Sequence, residues 1–122
     1  MGTRADFYVG KGKDAEWLGS IAYDGYPDGI PDDVKGSMTE QQYRDAVAAM
    51  IAGREDGTTP EQGWPWPWDD SNTTNYAYSF DKGEVSYCGY GKKWFSVWEE
   101  EPDEYESEEE GEFPNMADRK NV

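Results

Sequence analysis

The chain of 122 residues contains no histidine. Histidine is the side chain whose ordinary pKa lies near neutrality, so the usual proton shuttle is absent, and Ser/His/Asp and Cys/His catalysis are excluded. Cysteine occurs once, at Cys88. That excludes an intramolecular disulfide and a cysteine metal cluster, and it suits a reducing compartment. Positive charge is scarce: 11 Lys and Arg stand against 27 Asp and Glu, for a net charge of −16. A surface this negative repels DNA, RNA and anionic membranes and attracts basic surfaces. Long apolar runs are missing too. Nothing approaches the roughly 20 apolar residues of a membrane span. Met1 to Arg4 leads straight into Asp6-Phe7-Tyr8-Val9 without the apolar stretch of a signal peptide. These absences predict a cytoplasmic protein.

Aliphatic side chains are few, but nine Tyr, six Trp and four Phe compensate. Each ring buries about 150–250 Å², so a core built of rings is expected, and disorder throughout is not. Three of the tryptophans sit on alternate positions in Gly63-Trp64-Pro65-Trp66-Pro67-Trp68. Proline fixes φ and removes a backbone donor, which excludes a helix or a central strand here. The run is expected to be extended and polyproline-like, and to serve as a lid over the strands that follow. In that geometry Trp66 projects away from its two neighbours and is a candidate for a secondary aromatic surface.

Along the chain, Asp6–Val9 reads as a first strand closed by Gly10-Lys11-Gly12-Lys13. Ala15–Leu18 reads as a short helical or extended piece interrupted at Gly19. Residues 24–33 form a dense turn segment. Thr39 and Gln42 form a capping box, and Tyr43, Ala46, Val47, Met50 and Ile51 recur at helical spacing up to Gly53. Tyr76, Tyr78 and Phe80 alternate, turn at Asp81–Glu84, and return through Val85–Cys88 as a hairpin. Residues 92–98 read as a third strand. The predicted fold is α+β: an antiparallel β-meander of three or more strands packed against one main helix (about 40–53), with an acidic C-terminal tail. Residues 1–98 are expected to form a single compact domain and 99–122 an acidic segment.

Chemistry-bearing motifs are sparse. Tyr8-Val9-Gly10-Lys11 resembles half of the GIY-YIG nuclease signature, but the arginine and the helix-borne glutamate that signature needs do not follow at its spacing. Asp24, Asp28, Asp32 and Asp33 lack the closing glutamate of a calcium loop and suit tight turns. Acids are so abundant that a carboxylate pair for glycoside chemistry carries little information. No catalytic residue, metal site or cofactor is assigned.

The acidic run is the strongest signal. Residues 99–112 hold ten carboxylates and no base. A B-form duplex presents one charge per roughly 1.7 Å of axis, a density that carboxylates at nearly every position approach. The candidate partner-binding residues are Glu99, Glu100, Glu101, Asp103, Glu104, Glu106, Glu108, Glu109, Glu110 and Glu112, with Tyr105 and Phe113 as apolar anchors.

A small, histidine-free, acidic and aromatic-rich chain resembles phage and mobile-element inhibitors of host defence, of the anti-CRISPR or anti-restriction DNA-mimic type. The stretches Tyr8–Ser20 and Gly63–Trp68 also look like sequence carried by phage-type proteins. The resemblance implies a function class and assigns no residue. It implies a non-enzymatic inhibitor in the host cytoplasm whose partner is a basic nucleic-acid-binding protein or ribonucleoprotein complex, with no direct contact to nucleic acid or membrane. The alternative is an aromatic binding module that holds a glycan or peptide on exposed tryptophans.

Overall fold

Alternation of rings with small residues produces a tight hairpin. Strand β4 (Tyr76–Asp81) pairs antiparallel with β5 (Glu84–Gly89), with Asp81 opposite Glu84. The two residues between them, Lys82 and Gly83, have φ of 54° and 84°. Two positive values match the twist of the flanking strands, and glycine takes the second without strain. The computed structural model describes residues 3–10, 12, 15–68, 70–89 and 95–96, the last two by their backbone alone. Strand β6 (Phe95–Ser96) pairs antiparallel with β5, so the three-strand meander is present at its first two junctions.

The sheet does not stop there. Strands β1 (Ala5–Val9), β2 (Glu16–Ile21) and β3 (Gly57–Thr58) extend it to the order β3-β2-β1-β4-β5-β6. β1 runs parallel to β4, with Ala5 opposite Tyr76, so the sheet is mixed rather than purely antiparallel. A parallel neighbour needs a long crossover, and here the connection carries the helices. Helix α1 (Asp32–Lys35) is one turn, and α2 (Glu40–Ala52) is the main helix. Thr39 caps α2 by accepting from the Gln42 N–H at 3.1 Å. The Gln42 side-chain carbonyl accepts from the Met38 N–H at 2.8 Å, one residue before the position a standard capping box would use. Among the described residues, no helix is long and apolar enough to cross a membrane.

Gly19 does not interrupt β2; it lies inside it. The register with β1 shifts between Phe7 and Tyr8, which face Gly19 and Trp17, so Leu18 is an extra residue in a bulge. Gly19 has φ of 145°, and a Cβ there would meet the Thr58 carbonyl at 2.7 Å as well as the end of the Ile51 side chain. The bulge resets the side-chain alternation. Leu18 joins the helix-side cluster, while Trp17 and Ser20 share the opposite face, where the Trp17 indole donates to Ser20 Oγ at 3.0 Å.

The sheet thus separates two apolar layers. On the helix side, Phe7, Tyr78, Phe80, Val85 and Tyr87 pack against Tyr43, Val47 and Ile51 of α2. Phe7 stacks on Tyr78 at 5.3 Å between centroids, and Tyr43 meets Phe80 at 5.8 Å. Such pairs contribute about 0.5–1.5 kcal/mol each beyond their buried area. On the other side, Tyr8, Trp17, Ala77 and Cys88 are covered by Trp64 and Trp66, with Trp68 partly buried against them.

Candidate functional site

The tryptophan run is organised by one carboxylate. Asp6 is the second residue of β1, points away from the helix, and is completely buried. Its Oδ1 accepts from Ser20 Oγ and from the Trp66 indole, both at 2.6 Å. Its Oδ2 accepts from Ser71 Oγ at 2.6 Å, and Ser71 also shares a 2.6 Å hydrogen bond with the Tyr8 hydroxyl. Burial pushes the Asp6 carboxyl above its ordinary 3.8, opposed by the donors Ser20, Ser71, Trp66 and Thr74. No cation is among these donors, so the carboxylate is held by neutral dipoles alone. Burial likewise raises the Tyr8 hydroxyl, which stays protonated at neutral pH.

Expectation and structure differ here. Trp66 does not project outward: it is 8% exposed, beneath the lid, with its N–H on Asp6. The run does not stay extended either. It bends at Trp66–Trp68, stacks those two rings at 5.6 Å, and lets the Trp64 indole donate to the Trp68 carbonyl at 2.6 Å. The Trp68 indole donates to Thr74 Oγ1 at 2.8 Å. A buried indole N–H needs an acceptor, and the bent run brings Trp66 to Asp6 and Trp68 to Thr74. The Arg4 guanidinium covers the outside of the pair, 5.4 Å from Trp66 and 5.8 Å from Trp68. Trp64 and Trp66 are thereby buried, and Trp68 is half-buried.

The surface chemistry lies elsewhere. Arg44 makes a two-pronged pair with Glu16, at 3.0 and 2.7 Å, and bonds Glu40 at 2.7 Å, which raises its pKa. Arg54 grips Asp56 at 2.7 and 3.1 Å and reaches Asp24 at 3.2 Å. Burial pushes the Asp56 carboxyl up, but Arg54 and the Tyr23 N–H outweigh it and hold the group below 3.8. Lys35 donates to the Pro27 carbonyl at 2.9 Å. Among the described residues, Lys82 and Arg4, whose guanidinium lies over the tryptophan rings, are the bases without such a partner, and the exposed carboxylates of Asp33, Glu55, Glu61 and Glu84 have neither hydrogen-bonding nor ionic partners. Arg44 and Arg54 are thus paired within the molecule, while these four carboxylates are left to solvent.

A concave feature stands on this surface. α1 and the first three turns of α2 bound a cleft of about 670 Å³. Gln42, Asp45, Ala46, Ala49 and Met50 line one wall, at the spacing of a single helical stripe, and Pro31, Asp32, Asp33, Gly36 and Ser37 line the other. Small residues on α2 leave the space open, three carboxylates edge it, and no base among the described residues lines it.

The acidic run, Glu99 to Glu112 with its anchors Tyr105 and Phe113, lies outside the described residues, as does most of the third strand predicted at 92–98. Asp24 is taken up by Arg54, and among the described residues no group of three or more His, Cys, Asp or Glu is placed to hold a metal ion. Asp6 escaped sequence reasoning. Its signal was an acid at an inward-alternating strand position between Ala5 and Phe7 and Tyr8. No protein-family model, no curated protein and no solved structure matches the chain.

Proposed function

We propose that the protein is a non-enzymatic inhibitor that occupies a basic nucleic-acid-binding surface by acidic mimicry, of the kind that disarms a CRISPR or restriction complex in the host cytoplasm. The observation that carries this reading is the asymmetry of the charges. The chain has a net charge of −16, and Arg44 and Arg54 are neutralised by internal carboxylates while Asp33, Glu55, Glu61 and Glu84 face solvent unpaired. The field outside the molecule is therefore that of its acids. At about 0.1 M salt such a field reaches roughly 10 Å, enough to steer a basic groove toward the protein.

In this reading the carboxylates at 99–112 pair with Lys and Arg of the target, and Tyr105 and Phe113 add apolar contact. The folded part supplies a rigid acidic platform. A module gripping a ligand on Trp66 is not favoured, because that ring is sealed between Asp6 and Arg4.

The test is competition. A CRISPR effector or restriction enzyme is loaded with labelled duplex DNA, and the protein is added at low and at high salt. The expected result is displacement of DNA that weakens steeply as salt rises, and that is reduced by deleting residues 99–122. Displacement that is insensitive to salt, or no displacement from any basic nucleic-acid-binding complex, overturns the proposal.

A further inference from the structure

The cleft between α1 and α2 joins an apolar wall to an acidic edge. Its α2 wall is a stripe of Ala46, Ala49 and Met50, short or flexible apolar groups that a hydrocarbon stem can lie on. Its edges are the carboxylates of Asp32, Asp33 and Asp45. Asp33 has no partner for its side chain among the described residues, Asp45 holds only the neutral Gln41 amide at 2.9 Å, and the Asp32–Lys35 pair is loose at 4.0 Å. Among the described residues, no base lines the cleft. Carboxylates gathered at the rim of one concavity add their fields there.

We propose that this cleft receives an arginine or lysine side chain of the basic partner, its stem along Ala46 and Ala49 and its cationic head among the aspartates. The proposal rests on the mimic reading above and adds to it a defined socket in the folded domain, separate from the acidic run. An amphipathic cationic side chain fits both halves of the lining. An anion is repelled by it, and a purely apolar side chain leaves the carboxylates without counter-charge.

The experiment is a titration of the ¹⁵N-labelled full chain with an acetylated, amidated peptide of alternating glycine and arginine, followed by heteronuclear NMR. The acidic run will also bind this probe, so the readout is taken by site. The amides of Gly36, Ser37, Asp45 and Ala49 are expected to shift saturably. Ala49→Leu fills the cleft without changing the charge and is expected to weaken the response of these amides at least about fivefold. Asp33→Asn with Asp45→Asn removes two exposed ion pairs and should weaken it by roughly 2- to 30-fold. Retained spectral dispersion in either variant confirms that the fold persists. The socket is refuted if the cleft amides stay still while amides elsewhere move, or if Ala49→Leu leaves their titration unchanged. In both cases the mimic reading survives. If no amide anywhere responds even at low salt, both proposals fall.

Discussion

Replacing Asp6 tests whether a single buried carboxylate holds the tryptophan lid on the sheet. Three donors lie at 2.6 Å from it. Hydrogen bonds to a charged group contribute about 1.5–3 kcal/mol each, offset by a desolvation cost of several kcal/mol for the buried ion. In Asp6→Ala the cost disappears along with the acceptor, but the Trp66 indole is left buried with nothing to bond. A loss of about 3–5 kcal/mol follows, on the scale of other broken buried polar networks. For a domain of this size roughly 4 °C accompanies each kcal/mol, so calorimetry should show melting lowered by about 12–20 °C. Asp6→Asn is milder. Its carbonyl still serves Trp66 and Ser20, and its amide donates to Ser71, whose hydroxyl reverses. A loss of about 1–2 kcal/mol at neutral pH is expected.

The pH dependence separates this from simple packing. Burial raises the Asp6 carboxyl above 3.8, so the folded chain binds that proton more tightly than the unfolded chain does. The stability contributed by this linkage is present in full below 3.8 and is lost as pH rises through the folded pKa. Asparagine has no such dependence. The stability of the native chain minus that of Asp6→Asn should therefore grow as pH falls from 7 toward 4, with general charge repulsion cancelling in the difference. If Asp6→Ala melts within about 2 °C of the native chain, or if the difference for Asp6→Asn is flat or shrinks on acidification, the carboxylate does not hold the lid.

Gly19→Ala should cost at least about 2 kcal/mol in urea unfolding, because the residue sits at φ 145° against the Thr58 carbonyl. Arg44→Gln breaks partly exposed ion pairs and should lower stability by less than about 1 kcal/mol. By making the surface more acidic, it should also strengthen salt-sensitive binding to a basic protein, measured by calorimetric titration. Trp66→Phe removes one donor from Asp6. The Asp6 pKa should rise further, read by NMR titration of its carboxyl carbon, and the fold should lose about 1.5–3 kcal/mol.

Local signals carried much of the architecture. The cap at Thr39 and the 43/47/51 stripe gave α2, and alternation across a two-residue turn gave the β4–β5 hairpin, because both patterns depend on residues close in sequence. What they did not contain was the place of β1 in the sheet. Parallel pairing of Ala5–Val9 with Tyr76–Asp81 is set by packing on both faces, not by any turn. Gly19 read as a break because the chain around it gives no sign that Ile51 and Thr58 press on it from afar. The burial of Trp66 is hidden from the local sequence for a related reason. Proline constrains the backbone before it, but the fate of an indole is decided by where an acceptor lies, and Asp6 is 60 residues away.

The two-layered arrangement also gives the molecule a division of optical labour. The described indoles Trp17, Trp64, Trp66 and Trp68 all lie on one side of the sheet, while the phenols of Tyr43, Tyr78 and Tyr87 lie on the other. Emission from those tryptophans therefore reports on one face of the sheet and the near-ultraviolet signals of Tyr43, Tyr78 and Tyr87 on the other, with the buried Tyr8 on the tryptophan side. A lid that lifts before the helix lets go would register as two transitions at two wavelengths, and a cooperative molecule would register one.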